Sequence, residues 1–366
     1  MTATPKKILI SGSSGYVGQH LIASLLRHGI GQSPEQCEVY CAYNSLPTFE
    51  TDLDDLRQST AVHPSIAKIK AFPLDFQSDF VSTIKQACGG DDIDVIIHLA
   101  ALSSPFYCQH HEDEAWKINV PIDLLSLNAP IIYMSTDQVY QGTQQYYKEN
   151  DETLPVNLYG RSKLAFERVL LLNSNNTVSS NLLTEEELGE STLPEFLSTS
   201  SLQKFKPHPS SVILRSSLIL GKPTPFANGC KKGCFSSFLQ FVESRFKSAT
   251  NTDYFTNEYR SMVHVEDVIR ALLHFSRQAI LGQEDANVQV RILNLGGSER
   301  VSRYDLAMKM AAHLKLDGSC AKGVDRPSEG GGVPSPADIS MNVDKLTKEL
   351  GLDRLDGLDE IVAATF

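Results

Sequence analysis

The start of the chain carries the pattern that most restricts its fold, three regularly spaced glycines between a strand pattern and a helix pattern. Residues 7–10 form a short apolar run, which predicts a buried strand. Gly12, Gly15 and Gly18 follow, and apolar residues then recur at helical spacing. Gly12 allows a tight turn, Gly15 lets a pyrophosphate approach the amides at the helix start, and Gly18 lets the helix pack on the sheet. The segment predicts the first βαβ unit of a dinucleotide-binding fold; an ordinary glycine-rich loop is the alternative.

A tyrosine and a lysine four residues apart form a second pattern, which bears on chemistry. Tyr159 and Lys163 fall one turn apart on the same face of a predicted helix. A free tyrosine titrates near pH ~10, and a neighbouring ammonium favours the phenolate, so we expect the pair to act as a general acid near neutral pH. Thr136 ends a preceding apolar strand, where it can stabilise a developing oxyanion. Without the Tyr/Lys pair, a Ser/Thr turn capping that strand would be the simpler explanation.

These segments, in this order, resemble the extended short-chain dehydrogenase/reductase family. The resemblance continues at residues 74–76, 94–101, 115–120, 212–221, 260–268 and 292–297. It implies an α/β fold, a Rossmann-like doubly wound parallel sheet with a smaller C-terminal substrate-binding region. We expect residues 1–221 to form the NAD(P)-binding Rossmann domain. Residues 222–366 should form mainly the substrate-binding region, with 290–297 returning to the sheet as a strand.

A polar stretch at residues 173–210 interrupts the expected Rossmann domain. Thr184 and Glu187 form a capping-box pattern, which predicts one short helix within it. The length of the stretch indicates either a disordered insertion or a family-specific lid or partner surface.

The resemblance also implies where a coenzyme binds. The implied residues follow the first four strands and begin the catalytic helix: Gly12, Ser14, Gly15, Tyr16, Val17, Gly18, Asn44, Asp75, Phe76, Leu99, Ala100, Ala101, Tyr159 and Lys163. Strand two, predicted at residues 38–43, is not followed by the carboxylate that would accept the ribose hydroxyls of NAD and repel the 2′-phosphate of NADP. The arginine of dedicated NADP enzymes is missing too, but Asn44 and Ser45 can donate to a phosphate. We therefore favour NADP(H) over NAD(H).

Two groups of relatives within the family resemble this chain at residues 339–346, and the first of them also at 135–139 and 214–217. One is dTDP-4-dehydrorhamnose reductase, which implies an NAD(P)H-dependent reductase of a keto-sugar nucleotide. In that reaction Tyr159 donates a proton, Lys163 holds the nicotinamide ribose and Thr136 polarises the carbonyl. The other is the regulatory β subunit of methionine adenosyltransferase, which implies a non-catalytic NADP-binding partner of that enzyme.

The residue at position 138 limits which reactions of the family this chain can catalyse. Sugar-nucleotide dehydratases of the family carry a glutamate base where this chain has Gln138, and an amide cannot act as a base at neutral pH. Dehydration is therefore disfavoured. NAD-dependent epimerisation stays open, because it needs only reversible hydride transfer with Tyr159 as base.

Three charged residues are candidates for binding the substrate. By resemblance, Asp137 contacts the substrate, with a turn-capping role as its alternative. Arg215 and Arg260 either pair with a diphosphate or tie the structure together through carboxylates and backbone. Ser335 and Pro336 stand where relatives carry an arginine and a proline, which weakens the transfer of a phosphate contact to this loop.

Charge and composition argue against several other classes. The formal net charge of −11 repels a phosphate backbone, so we expect no nucleic-acid partner. Neither a long apolar run nor a signal-peptide pattern is present, so we expect a cytoplasmic protein without a membrane contact. The seven cysteines are expected to be reduced thiols, and Cys230 and Cys234 lack a second ligand pair, so no metal site is predicted. A homodimer and a methionine adenosyltransferase partner both stay open.

Overall fold

The computed structural model describes most of the chain: residues 4–31, 35–44, 46–175, 182–189, 191–202, 204–205, 210–226, 237–283, 290–327 and 332–366. Ser45, Cys230 and Cys234 lie outside the described residues, as does part of the stretch at 173–210. None of the helices in the described ranges combines the length and apolarity that a membrane crossing needs. The same ranges bring no three His, Cys, Asp or Glu side chains together in a metal-binding group.

Strands and helices alternate through the first half of the chain. The strands are β1 (Lys6–Ser11), β2 (Cys37–Tyr43), β3 (Ile66–Pro73), β4 (Val95–His98), β5 (Ile131–Thr136), β6 (Ser211–Ser216), β7 (Ile219–Leu220), β8 (Thr252–Phe255), β9 (Tyr259–Arg260), β10 (Val263–His264), β11 (Val290–Leu295), β12 (Val301–Ser302) and β13 (Ala321–Val324). The helices are α1 (Tyr16–His28), α2 (Phe49–Ser59), α3 (Phe80–Cys88), α4 (Pro105–His110), α5 (Glu112–Asn119), α6 (Leu158–Asn175), α7 (Glu185–Leu188), α8 (Thr199–Leu202), α9 (Phe238–Lys247), α10 (Val265–Leu281), α11 (Arg303–Leu314), α12 (Asp344–Leu350) and α13 (Leu358–Thr365).

A seven-stranded sheet forms the centre of the molecule, in the order β3-β2-β1-β4-β5-β6-β11. Every neighbouring pair in it is parallel. From β1 the chain adds β2 and β3 on one side, and from β4 it adds β5, β6 and β11 on the other. The strand order therefore reverses between β1 and β4, which makes this the switch point of the sheet. Ligands of open α/β sheets bind beyond the carboxyl ends of the strands at such a point. The sheet confirms the predicted doubly wound α/β fold.

Strand β1 shows why these residues form a central strand. Leu9 belongs to the apolar core on one face of the sheet, where α3, α5 and α6 pack. Ile8 and Ile10 point to the other core, which α1, α2 and α10 cover. A strand buried on both faces needs a nearly continuous apolar sequence, and residues 8–10 provide it.

A third apolar core lies in the C-terminal part of the chain. It joins α9, α11 and α13 through side chains such as Leu239, Leu306 and Ile361. Strand β11 nevertheless returns to the large sheet and pairs with β6 along six residues. That residues 1–221 bind the coenzyme and residues 222–366 mainly the substrate stays a prediction.

One predicted element lies within the polar stretch at 173–210. Helix α7 begins after Thr184, whose hydroxyl accepts the Glu187 amide while the Glu187 carboxylate accepts the Thr184 amide. The capping box anticipated from the sequence is therefore present.

Candidate active site

The glycine turn after β1 is shaped by close backbone contacts. Gly12 has a φ of +70°, and a Cβ at this position would lie 2.6 Å from the Ala100 amide nitrogen. A Cβ on Gly18 would lie 2.5 Å from the Gly12 carbonyl oxygen, so larger residues cannot occupy either place. Gly15 caps α1, whose first turn carries no acidic side chain to compete with a bound anion. This cradle fits the pyrophosphate of a dinucleotide.

Thr136, Tyr159 and Lys163 line one cleft with this turn. The cleft has a volume of about 610 Å³ and lies beyond the carboxyl ends of β1, β4 and β5. Thr136 is the last residue of β5, and the other two lie one turn apart near the start of α6. Of the residues predicted from sequence, the structure gathers the following along the cleft: Gly12, Gly15, Tyr16, Val17, Gly18, Leu99, Ala101, Thr136, Asp137, Tyr159, Lys163 and Arg260.

A buried asparagine holds the catalytic helix in place. Asn119, at the end of α5, accepts the Leu102 amide at 2.8 Å and donates to the Leu102 carbonyl at 3.2 Å. Its amide also donates to Ser162 Oγ, between the two catalytic candidates, at 2.9 Å. The loop after β4 and the start of α6 are therefore fixed to the same side chain.

The pKa of Tyr159 differs from the sequence expectation. Burial raises the pKa of Tyr159 above its ordinary value, and a hydrogen bond with Thr136 offsets only part of that effect. We expected Lys163 to lower it, but desolvation of the phenolate dominates at this site. The phenol is thus held in its protonated form, which is the form that can donate a proton.

Lys163 is also affected by burial, in the opposite direction. Burial lowers the pKa of Lys163 to about 7, while the nearby charge of Glu167 favours the ammonium. Its Nζ atom lies 4.3 Å from the centre of the Tyr133 ring, close enough for a cation–π contact. The lysine is therefore fixed between the ring beneath it and the cleft above it.

Asp137 places a carboxylate without a full set of partners in the cleft. The side chain is buried, and one of its oxygens has no hydrogen-bond partner among the described residues. Burial raises the pKa of Asp137 to about 6, and the positive charge of Arg260 opposes that rise. Ser217, also buried and lining the cleft, lies beside Asp137 and opposes the same rise in pKa. Two buried oxygen-bearing side chains thus line this part of the cleft.

Three arginines surround one buried glutamate at the far end of the cleft. Glu258 accepts from Arg260 at 2.9 Å and from Arg326 at 2.8 Å, and Arg303 lies 3.6 Å away. Arg260 also donates to Ser335 Oγ and to the Pro336 carbonyl. Three guanidinium groups against one carboxylate leave an excess of positive charge in a chain that is acidic overall.

Sequence reasoning found only Arg260 of this cluster. Arg303 begins α11 and Arg326 follows β13, so no local spacing relates them to Glu258. Next to the cluster, a smaller pocket of about 250 Å³ is lined by Phe238, Phe241, Tyr254 and Phe255 among others. It shares Phe238, Glu258, Arg303 and Ser335 with the cleft, so the two cavities are neighbours.

Some predicted coenzyme residues lie outside the cleft walls. Ser14 lies in the glycine turn, and Ala100 lies against Gly12. Asn44 and Asp75 are exposed at the ends of β2 and β3, where the Leu74 amide donates to the Tyr43 carbonyl. Phe76 is buried instead and packs against Phe80 and His98.

Arg215 is not at the cleft. It is buried and donates to both carboxylate oxygens of Glu167, with a shortest distance of 2.7 Å. Its remaining nitrogen donates to the Tyr140 hydroxyl and the Glu149 carbonyl. The substrate contact anticipated for Arg215 therefore finds no support in the geometry, and its alternative structural role does.

Comparison with known proteins shows what this chain is similar to. The family model described as RmlD substrate binding domain matches residues 6–179. Methionine adenosyltransferase 2 subunit beta from Bos taurus is 24% identical over 348 residues, covering 92% of this chain and 81% of that protein.

Solved structures share the fold along the whole chain. A dTDP-4-dehydrorhamnose reductase from Bacillus anthracis, in complex with NADP, gives a TM-score of 0.64 at 16% identity and covers 98% of both chains. A UDP-glucuronic acid 4-epimerase from Bacillus cereus, in complex with UDP-glucuronic acid and NAD, gives 0.67 at 18% identity, covering 98% of this chain and 97% of the other. Residues 6–179 therefore match that family model, and the comparisons agree with the resemblance of the motifs to extended short-chain dehydrogenases/reductases.

Proposed function

We propose that the protein is an NAD(P)H-dependent reductase of a keto-sugar nucleotide. The observation that carries this proposal is the arrangement of Thr136, Tyr159 and Lys163 in one cleft with the glycine turn. The reduced nicotinamide, when bound, supplies a hydride to the substrate carbonyl carbon. Tyr159 donates the proton to the resulting oxyanion from its protonated phenol, the form that burial favours.

The other two residues of the trio support this proton transfer. The Thr136 hydroxyl lies beside Tyr159 and can donate to the carbonyl oxygen as negative charge develops. Lys163 holds the nicotinamide ribose and supplies positive charge close to the phenol. With Gln138 in place of a base, the site lacks the glutamate that dehydration needs.

The charges at the other end of the cleft support a nucleotide-linked substrate. The cluster of Arg260, Arg303 and Arg326 around Glu258 offers guanidinium groups that can pair with a diphosphate. The adjoining pocket contains four aromatic side chains, on which a nucleobase can stack. Between these two ends, Asp137 and Ser217 can bind sugar hydroxyls. We propose accordingly that residues 1–221 hold mainly the coenzyme and 222–366 mainly the nucleotide of the substrate.

NADP(H) is the proposed coenzyme in preference to NAD(H). Asn44 is exposed directly after β2, and Asp75 is the exposed acid at the end of the neighbouring strand. An amide after β2 leaves the 2′-phosphate of NADP without the repulsion that a carboxylate there would cause. Direct titration with both coenzymes tests the preference; tighter binding of NADH would overturn it.

A second candidate function is a non-catalytic, NADP-binding regulatory subunit of methionine adenosyltransferase. The extended match to methionine adenosyltransferase 2 subunit beta from Bos taurus favours it. The two candidates differ in what they require of Tyr159, because a regulatory subunit needs no proton donor in the cleft.

One experiment separates the candidates. Purified protein is mixed with NADPH or NADH and a panel of keto-sugar nucleotides, and coenzyme oxidation is followed by absorbance. In parallel, tagged protein is incubated with methionine adenosyltransferase and recovered. A reductase oxidises the coenzyme stoichiometrically with substrate, and an epimerase converts a nucleotide sugar without net oxidation. Recovery of the transferase, with neither coenzyme oxidation nor conversion of a nucleotide sugar, would instead support the regulatory function.

A further inference from the structure

A buried ion pair lies beneath the catalytic helix. Glu167 is completely buried, and it accepts from Arg215 Nε at 3.2 Å and from Arg215 Nη2 at 2.7 Å. Removing either partner would leave a charge in an interior where it cannot be hydrated. The pair therefore acts as a unit.

The pair connects α6 to several strands of the sheet. The Ser135 hydroxyl, one residue before Thr136, donates to Glu167 at 2.5 Å. Arg215 lies on β6 and donates to the Tyr140 hydroxyl, which in turn donates to Asn294 of β11 at 2.8 Å. Helix α6 is thus bound to β5, β6 and β11 through one carboxylate.

Glu167 also lies on the catalytic face of α6. Tyr159, Lys163 and Glu167 are spaced four residues apart, so they follow one another along one side of the helix. The charge of Glu167 is the largest influence that favours the ammonium of Lys163. Glu167 lies one helical turn after Lys163 on α6.

The other groups that face Lys163 offer it no negative charge at neutral pH. Burial keeps the pKa of His98 well below its ordinary value, so the ring is neutral. Burial raises the pKa of Cys108 to about 11 and also raises the pKa values of Tyr133 and Tyr159, so all three are protonated. Among these groups of the described residues, Glu167 alone brings a negative charge.

We infer that Glu167 is a positioning residue for the catalytic pair: it fixes α6 against β5 and favours the ammonium form of Lys163. Arg215 holds Glu167 in place, and through its own position on β6 and its hydrogen bond to Tyr140 it links Glu167 to β6 and β11. The inference rests on the proposed function for its catalytic meaning, because only then does the charge of Lys163 serve proton transfer from Tyr159. The charge itself can be measured without substrate or coenzyme.

The test is a titration of Lys163 by NMR in protein labelled with 13C at lysine Cε. Lys163→Arg identifies the resonance by its disappearance. In Glu167→Gln, we expect the midpoint of the Lys163 titration to fall by about one pH unit or more, a tenfold change in its protonation equilibrium. Ser135→Ala is the matched control, because it removes a hydrogen bond of Glu167 and leaves the charge. Its Lys163 midpoint should stay at the wild-type value.

A double variant keeps the test decisive if Glu167→Gln does not fold. In Glu167→Gln with Arg215→Gln, neither member of the ion pair is left behind as an unpaired charge, and the Lys163 midpoint should again fall. An unchanged midpoint in a folded variant would overturn the inference, and so would an equal fall in Ser135→Ala, since that would trace the effect to packing. These outcomes do not depend on whether any keto-sugar nucleotide is reduced, so a failed substrate screen would count against the proposed function alone.

Discussion

The side-chain amide of Asn119 donates to Ser162 Oγ at 2.9 Å and so joins the end of α5 to the catalytic helix. The same asparagine holds both backbone groups of Leu102, in the loop that leads to the cleft from β4. One uncharged side chain thus sets the position of α6 relative to the coenzyme side of the cleft. Its loss should affect stability and catalysis together.

Asn119→Ala is expected to destabilise the protein by about 2–4 kcal/mol, because it removes three hydrogen bonds at once and takes away the partner of the Leu102 amide. Ser162→Ala is the control, since it removes only one of the three bonds of Asn119 and should cost about 1 kcal/mol. Urea unfolding measures both. Equal losses in the two variants would show that the contacts to Leu102 contribute little.

Gly12 and Gly31 allow backbone strain to be separated from crowding. Both have positive φ, but an added Cβ meets the Ala100 backbone at Gly12 and nothing within 4 Å at Gly31. Gly31→Ala should cost about 1–2 kcal/mol of stability and leave coenzyme binding unchanged. Gly12→Ala should lose more stability and weaken NADPH binding at least about tenfold, or about 1.4 kcal/mol. Coenzyme fluorescence titration measures the difference, and similar affinities would contradict the assigned role of the turn.

Asp137 should make the stability of the protein depend on pH. Its pKa is raised from 3.8 to about 6, so the folded state binds more protons than the unfolded state between these values. Stability at this site is therefore lost as pH rises through that window. Asp137→Asn should be more stable than wild type at neutral pH by about 1–3 kcal/mol, and the advantage should shrink toward pH ~4.

The measurement is chemical denaturation of wild type and Asp137→Asn across that pH range. Asp92→Asn, which changes an exposed carboxyl, is the control and should track the wild type. A stability difference that does not vary with pH would mean that the Asp137 carboxyl does not titrate in this range.

The parts of the site that the sequence predicted are those encoded by local spacing. The glycine turn, Thr136 at the end of a strand and the Tyr159–Lys163 pair all depend on neighbours within a few residues. Arg215 was harder to interpret, because its partner Glu167 is 48 residues away and no spacing rule links them. The direction of the Tyr159 pKa was wrong for the same reason: burial by the whole fold outweighs the one lysine that the sequence shows.

The arginine cluster at the far end of the cleft also depends on contacts between residues that are far apart in sequence. Glu258, Arg303 and Arg326 come together only after β8, β13 and α11 pack around the third core. The fold itself was more accessible, because apolar runs and glycine turns alternate along the chain in the order that a parallel sheet requires. Residues that act at a distance in sequence are thus found only once the sheet and the C-terminal region are assembled.

The central claim is that the phenol of Tyr159 donates the proton during carbonyl reduction, and Tyr159→Phe tests it most directly. With a keto-sugar nucleotide that the wild type reduces, the account predicts that kcat falls by about 10²–10⁴-fold while the NADPH dissociation constant stays within about twofold. Tyr146→Phe, at an exposed tyrosine away from the cleft, should match the wild type in both. Reduction at an undiminished rate by folded Tyr159→Phe would contradict the account.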